Sequence, residues 1–317
     1  VGTFKSLIKP QGGFLFHESL IRYQHSDEEL VNRFDGEVYR RVIETGGKGG
    51  MDADGGLALI EVRAAGKGGE VEMTLRAPGQ IGKRAAAAGE AALKHLLAFD
   101  LDLAPFYAMA RRDSVLAPIV QQFRGLRPVR YLNLFEGLVT AITTQQVNLT
   151  FGGRTRARVV KRWGEKLKLG GEAHHAFPRP ERLARARPET LKGMQFSARK
   201  GEYVICVAQV AASGGLEDND FKELPLEPAV ERLTKLRGVG RWTAEQALYC
   251  ALGRIEALAA GDLGVQKVVA RYCFNLERVD ENRARDAAMR WAPWGALASA
   301  YLFAAWRAGI PSGAERR

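Results

Sequence analysis

Over residues 1–95 the apolar positions fall in short runs. The segments "GGFLF" (12–16), "GEVYRRVIE" (36–44), "GLALIEVRA" (56–64) and "GEVEMTLRA" (69–77) are rich in β-branched and aromatic residues. Glycine-rich turns such as "TGGKGGMDADGG" (45–56) separate them. That rhythm predicts an antiparallel sheet. One helix is expected over "SDEELVNRF" (26–34), where Ser26 precedes Glu29 at the spacing of a capping box.

The pattern then changes to helical periods. "RAAAAGEAALKHLLAFD" (84–100) reads as one helix. "LFEGLVTAITTQQVNLT" (134–150) reads as another, with Leu134, Leu138, Ile142 and Leu149 on one side. Residues 164–190 suggest a proline-bearing loop followed by a short basic helix. No internal repeat interrupts the series. The expected fold is an N-terminal α+β domain over 1–95 and a mainly α-helical region over 96–317. The latter divides into two helical subdomains with an active site between them.

Charge narrows the partners. The 317 residues carry 47 basic and 36 acidic side chains, a net +11. Residues 151–200 alone hold 14 Lys/Arg against 4 Asp/Glu, so this window accounts for +10. Clustered positive charge of this kind suits a nucleic acid. No run of about 18 apolar residues is present to span a membrane. The opening "VGTFKSLIKPQGGFLF" lacks a secretory apolar core, so an intracellular location, a bacterial nucleoid or a nucleus, is expected. Cys206, Cys250 and Cys273 are widely spaced, which argues against a disulfide framework, a zinc knuckle or an iron–sulfur cluster. The adjacent His174 and His175 lack a visible third ligand, so no metal is expected there.

The densest chemistry lies in "LRGVGRWTAEQALYC" (236–250). Gly238 and Gly240 flank Val239 and are expected to take positive φ, turning the chain into a helix from Trp242 to Leu252. Outward N–H groups at such a helix start suit a phosphate. The backbone carbonyls of Thr234, Leu236 and Val239 suit a monovalent cation. An unliganded helix–helix turn accounts for the glycines equally well. Further on, "AGDLGVQKVVARY" places Asp262 before another helix, where an N-cap is the ordinary role. "RWAPWGALASAYLFAAW" holds Trp291 and Trp294, and tryptophans there suit a core or a pocket. Upstream, Gln145 and Gln146 end an apolar helix.

In order and spacing, "FEGLVTAITTQQV", "LRGVGRWTAEQAL", "AGDLG" and "RWAPW" together resemble the helix-hairpin-helix DNA glycosylases with a Gly/Pro-rich loop and catalytic Asp. Within them the likeness is to the AlkA-like 3-methyladenine branch, over roughly residues 115–310. The resemblance implies a monomeric enzyme that flips an alkylated base from duplex DNA and hydrolyses its N-glycosidic bond, with no cofactor. Asp262 would be the catalytic carboxylate. Trp242, Gln246, Trp291 and Trp294 would line the base pocket. Gly238, Val239, Gly240, Arg241, Thr243 and Gln145 would contact DNA, and Gln146 would be the wedge that fills the vacated stack. Backbone-nicking relatives carry a lysine amine where Trp242 stands, so the enzyme would be monofunctional. Gln246 and Gly295 depart from the family pattern, which implies a roomier pocket. A glycosylase for oxidised or deaminated bases, and a non-catalytic damage binder, remain open on sequence alone.

Overall fold

The computed structural model describes residues 1–24, 29–46, 56–66 and 68–312. Five strands, β1 (Gly2–Ile8), β2 (Arg33–Phe34), β3 (Val38–Glu44), β4 (Leu57–Ala65) and β5 (Glu70–Ala77), form an antiparallel sheet in the order β1-β5-β4-β3-β2. Alternation sets the buried face. In β5, Val71, Met73 and Leu75 are buried while Glu70, Glu72 and Thr74 are not. That face packs with Phe14, Leu20 and Tyr23 and with Leu93 of the helix Lys83–Leu96.

Two expectations for this region need correction, and one strand was missed. "GGFLF" is not a strand: Gly12 and Gly13 turn at φ +78° and +81°, and Phe16 opens the helix Phe16–Leu20. Residues 29–34 are not helical, and 25–28 lie outside the described residues. The Glu29 carboxylate instead accepts from the N–H groups of Val31 and Asn32 and pairs with Arg156, so the chain turns there. Strand β1 was hidden because Lys5 and Ser6 dilute its apolar content.

Thirteen further helices lie between Lys83 and Arg307 among the described residues. Their buried side chains gather in two apolar clusters. One includes Leu138, Ile142, Leu233, Val239, Ala247 and Leu248. The other includes Phe106, Leu116, Val269, Trp291, Tyr301 and Leu302. Among the described residues no helix is long and apolar enough to cross a membrane. The helix expected over 134–150 is two helices, Leu134–Thr144 and Leu149–Trp163. It breaks because Gln145 is extended (ψ 129°) and Gln146 is left-handed (φ +52°), after which Asn148 caps the second helix by accepting from Phe151 N–H at 2.8 Å. Leu149 is therefore 82% exposed, not on the apolar side of a continuous helix. Residues 164–190 contain a small hairpin, β6 (Lys166–Leu169) and β7 (Glu172–His175), followed by the short helices Pro180–Ala184 and Pro188–Lys192. Leu167 and Leu169 pack against Val42 and Leu59 on the outer face of the larger sheet.

One buried ion pair ties the sheet to the helices. Arg41 of β3 donates from Nη1 and Nη2 to Glu136 Oε1 and Oε2 at 2.9 and 2.6 Å. Their side chains are 0% and 3% exposed. Arg41 also donates to Asn32 Oδ1, and Glu136 accepts from Leu132 N–H. Burial opposes the Arg41 charge, and Glu136 more than offsets it, so its pKa is raised. Removing one partner strands the other charge. Glu136→Gln is expected to destabilise the protein by about 3–5 kcal/mol, and the double change Arg41→Met/Glu136→Leu by clearly less. Urea unfolding of both variants measures this, and a single change costing under about 1 kcal/mol would refute it.

Candidate functional site

The glycine hairpin joins the helices Leu226–Thr234 and Arg241–Leu252. Val239 N–H donates to Leu236 O at 3.0 Å and closes the turn, and the Val239 side chain is buried. The Leu236 carbonyl nominated for a cation thus already accepts one hydrogen bond, and Thr234 is the last residue of the preceding helix. Gly238 takes φ +87°, and a Cβ there would stand 2.0 Å from Tyr203 Cγ. Only glycine fits. Gly240 departs from expectation: its φ is −88°, ordinary extended backbone, and a Cβ would meet nothing within 4 Å. Gly240 lies on the groove, and the first N–H groups of the following helix lack intrahelical partners.

Asp262 occupies the N-cap of the helix Leu263–Val269. Its Oδ1 accepts from Gly264 N–H at 2.8 Å and Val265 N–H at 3.1 Å. Its Oδ2 accepts from the Trp242 indole Nε1 at 3.2 Å. A Cβ at Gly264 would lie 2.9 Å from Asp262 Oδ1 and from Phe303 Cζ, so glycine leaves room for the carboxylate. Trp242 and Asp262 are both half-buried. They sit on an open groove of about 2020 Å³ that also takes in Gln246, Gln146, the hairpin and Phe303. A fixed carboxylate beside an indole in such a groove can face a developing positive charge.

The remaining residues sort differently from expectation. Trp291 is fully buried and donates from Nε1 to Asp113 Oδ2 at 2.9 Å. Trp294 packs with Phe106, ring centres 5.9 Å apart, in the same apolar cluster. Neither lines the groove, because the core behind Asp262 claims both rings. Arg241 is not a free cation for phosphate. Its guanidinium donates to both carboxylate oxygens of Glu227, at 2.9 and 2.6 Å, and to Glu245 at 2.9 Å. Glu245 has a fully buried side chain and is also held by Arg285. Burial raises its carboxyl pKa against the lowering pull of Arg285 and Arg241.

Thr243 and Gln145 are internal ties. Gln145 Nε2 donates to Gly238 O and to Thr243 Oγ1, each at 2.9 Å, locking the end of Leu134–Thr144 onto the hairpin. Gln146 is exposed on the groove in the left-handed region. Gln246 reaches the groove and donates from Nε2 to Cys250 Sγ at 3.3 Å. Lys200 donates to Gln145 O, and burial lowers its pKa. Sequence reasoning missed Arg22, Tyr131, Cys250 and Phe303, which line the groove. Cys250 ends the hairpin stretch, one turn after Gln246, and Phe303 lies in the stretch after Trp294, but Arg22 and Tyr131 had no such neighbour.

The family model for HhH-GPD superfamily base excision DNA repair proteins matches residues 139–293. A DNA-3-methyladenine glycosylase of Bacillus subtilis is 32% identical over 208 residues, 65% of this chain and 68% of the relative. A putative DNA-3-methyladenine glycosylase of the same organism is 26% identical over 78% of this chain and 83% of its own length. Among solved structures, the 3-methyladenine DNA-glycosylase from Archaeoglobus fulgidus superposes with a TM-score of 0.80 at 25% identity, covering 95% of this chain and 98% of that one.

The two hairpin glycines should respond oppositely to a methyl group. Gly238→Ala combines a left-handed backbone with the Tyr203 overlap and is expected to cost at least about 2 kcal/mol. Gly240→Ala should change stability by less than about 1 kcal/mol. Chemical denaturation separates them, and equal losses would contradict the geometry.

Proposed function

The chain belongs to the HhH-GPD superfamily of base excision DNA repair proteins, and from that premise we propose that it is a monofunctional DNA glycosylase for alkylated bases. In this reading residues 96–317 are the glycosylase region, residues 1–95 a domain that completes its groove, and the enzyme acts as a monomer on duplex DNA. The observation that carries the reading is the Asp262 carboxylate, held by Gly264, Val265 and Trp242 on the groove beside the hairpin.

An N-alkylated purine that is already cationic needs no strong acid to leave. What the transition state lacks is a partner for charge developing on the sugar, and Asp262 supplies it electrostatically. The same carboxylate can orient the attacking water. Trp242 presents an electron-rich ring to a cationic base and holds the carboxylate through its indole N–H. Open N–H groups at the start of Arg241–Leu252 receive a backbone phosphate. Gln146, exposed where the chain breaks between two helices, fills the gap left by the flipped nucleotide. An indole has no amine to attack the sugar, so no strand cleavage accompanies base release.

Asp262→Asn keeps a capping oxygen and removes the charge. Base release from methylated duplex DNA is expected to fall by about 10²–10³-fold or more, with binding to an abasic-analogue duplex retained. Near-normal release by the folded variant would remove Asp262 from the chemistry. Product analysis supplies a second check. Strands should stay intact until alkali is added, and borohydride should trap no protein–DNA adduct; an efficient adduct would overturn the monofunctional assignment.

A further inference from the structure

Gln146 is not a glycine, yet its backbone stands at φ +52° while its side chain is exposed on the groove. A left-handed conformation of this kind persists only where the surroundings over-determine it. Gln145 supplies that determination. Its Nε2 donates to Gly238 O and to Thr243 Oγ1, each at 2.9 Å. Its carbonyl, part of the peptide that joins it to Gln146, accepts from Lys200 Nζ. On the far side Asn148 caps the next helix by accepting from Phe151 N–H at 2.8 Å. Gln146 thus sits between two fixed points, with Val147 alone separating it from the second.

Gly238 and Thr243 belong to the hairpin and to the first turn of the helix behind it. The helix Ala198–Ala212 joins the same node. It carries Lys200 and, three residues on, Tyr203, whose ring packs so closely that a Cβ at Gly238 would stand 2.0 Å from its Cγ. Between these two, Glu202 pairs at 2.8 Å with Arg237, the residue before Gly238. Hairpin and wedge are therefore braced twice, directly through the Gln145 carboxamide and indirectly through this helix. Thr243 is buried and Gln145 is half-buried, so water competes weakly for the carboxamide bonds. Displacement of the hairpin carries Gln145 with it, and the backbone of Gln146 follows.

Resting on the glycosylase reading above, we propose that Gln145 is a positioning residue that couples the hairpin's hold on the DNA backbone to insertion of Gln146. Phosphate contacts are common to every duplex. An inserted side chain acts only where a base has left the stack. Gln145 therefore contributes to the preference for a vacated site and not to the grip itself. Without its brace Gln146 relaxes out of the left-handed region, and insertion then carries the entropy of ordering it.

Equilibrium titrations at matched salt compare a plain duplex with one holding an abasic analogue. Gln145→Leu keeps the bulk and removes both donors. It is expected to lower the preference for the abasic duplex by at least about fivefold, with plain-duplex affinity within about twofold of the parent. Thr243→Val removes one of the two acceptors and should lower the preference by at least about twofold. In a Gln146→Ala background, Gln145→Leu should lower it no further, because the group it acts through is gone. Urea unfolding reports which variants are folded, and Thr243→Val carries the test if Gln145→Leu does not fold. An unchanged preference in the folded variants overturns the inference. So does an equal loss of affinity for both duplexes, which marks Gln145 as a strut of the hairpin. The same drop in the Gln146→Ala background overturns it too, since Gln145 then acts independently of the wedge. A parent protein that releases methylated bases but shows no abasic preference overturns the inference and leaves the glycosylase reading standing. A parent protein that releases no base overturns the glycosylase reading itself.

Discussion

The buried fork between Arg41 and Glu136 is the contact on which the arrangement of the groove depends. Two desolvated charges tolerate no slippage, because any separation leaves each without water or partner. Glu136 stands in the first turn of Leu134–Thr144, and the far end of that helix carries Gln145 and Gln146. Arg41 stands in the sheet, on the strand next to β2. The pair therefore fixes the N-terminal sheet relative to the helix that delivers the groove's exposed glutamine. A second buried pair, Glu29 with Arg156, repeats the tie to Leu149–Trp163. Burial alone would raise the Glu29 pKa, but Arg156 and two backbone N–H groups bring it below the usual value.

The same pairs change how the basic window should be understood. Part of its positive charge is answered by carboxylates of the same molecule. Arg156 pairs with Glu29, Arg179 with Glu44 and Glu165, and Arg182 with Glu165. Arg199 and Lys200 come from that window and do line the groove. A charge count over a sequence segment measures neither pairing nor direction, and the field that DNA meets is set by the unanswered remainder.

What sequence disclosed follows physical rules that act locally. The three strands β3, β4 and β5 were legible because β-branched and aromatic residues fill short runs between glycine-bearing turns, and the hairpin because glycine at 238 answers a backbone requirement. Asp262 was legible as a cap, which it is, and as a candidate carboxylate, the role the proposed function gives it. Other features depended on partners far along the chain. The break after Thr144 rests on Gln145 bonding across to Gly238 and Thr243. Trp291 looked like a pocket ring until Asp113, 178 residues away, took its indole N–H. Arg241 looked free because Glu227 and Glu245 bracket it in space as well as in sequence, and only the geometry shows both engaged. Arg22 had no signal at all, since nothing near it in sequence belongs to the groove's motifs.

In the proposed function, Asp262 couples the chemistry to the first turn of one short helix. Gly264 and Val265 hold the carboxylate only while Leu263–Val269 is wound at that end. Helix ends open more readily than the molecule as a whole. Fraying of that turn would take both backbone donors from the carboxylate while the surrounding core stays packed. In that reading a local event well short of unfolding disarms the site, and activity is expected to be lost at a lower temperature than the fold.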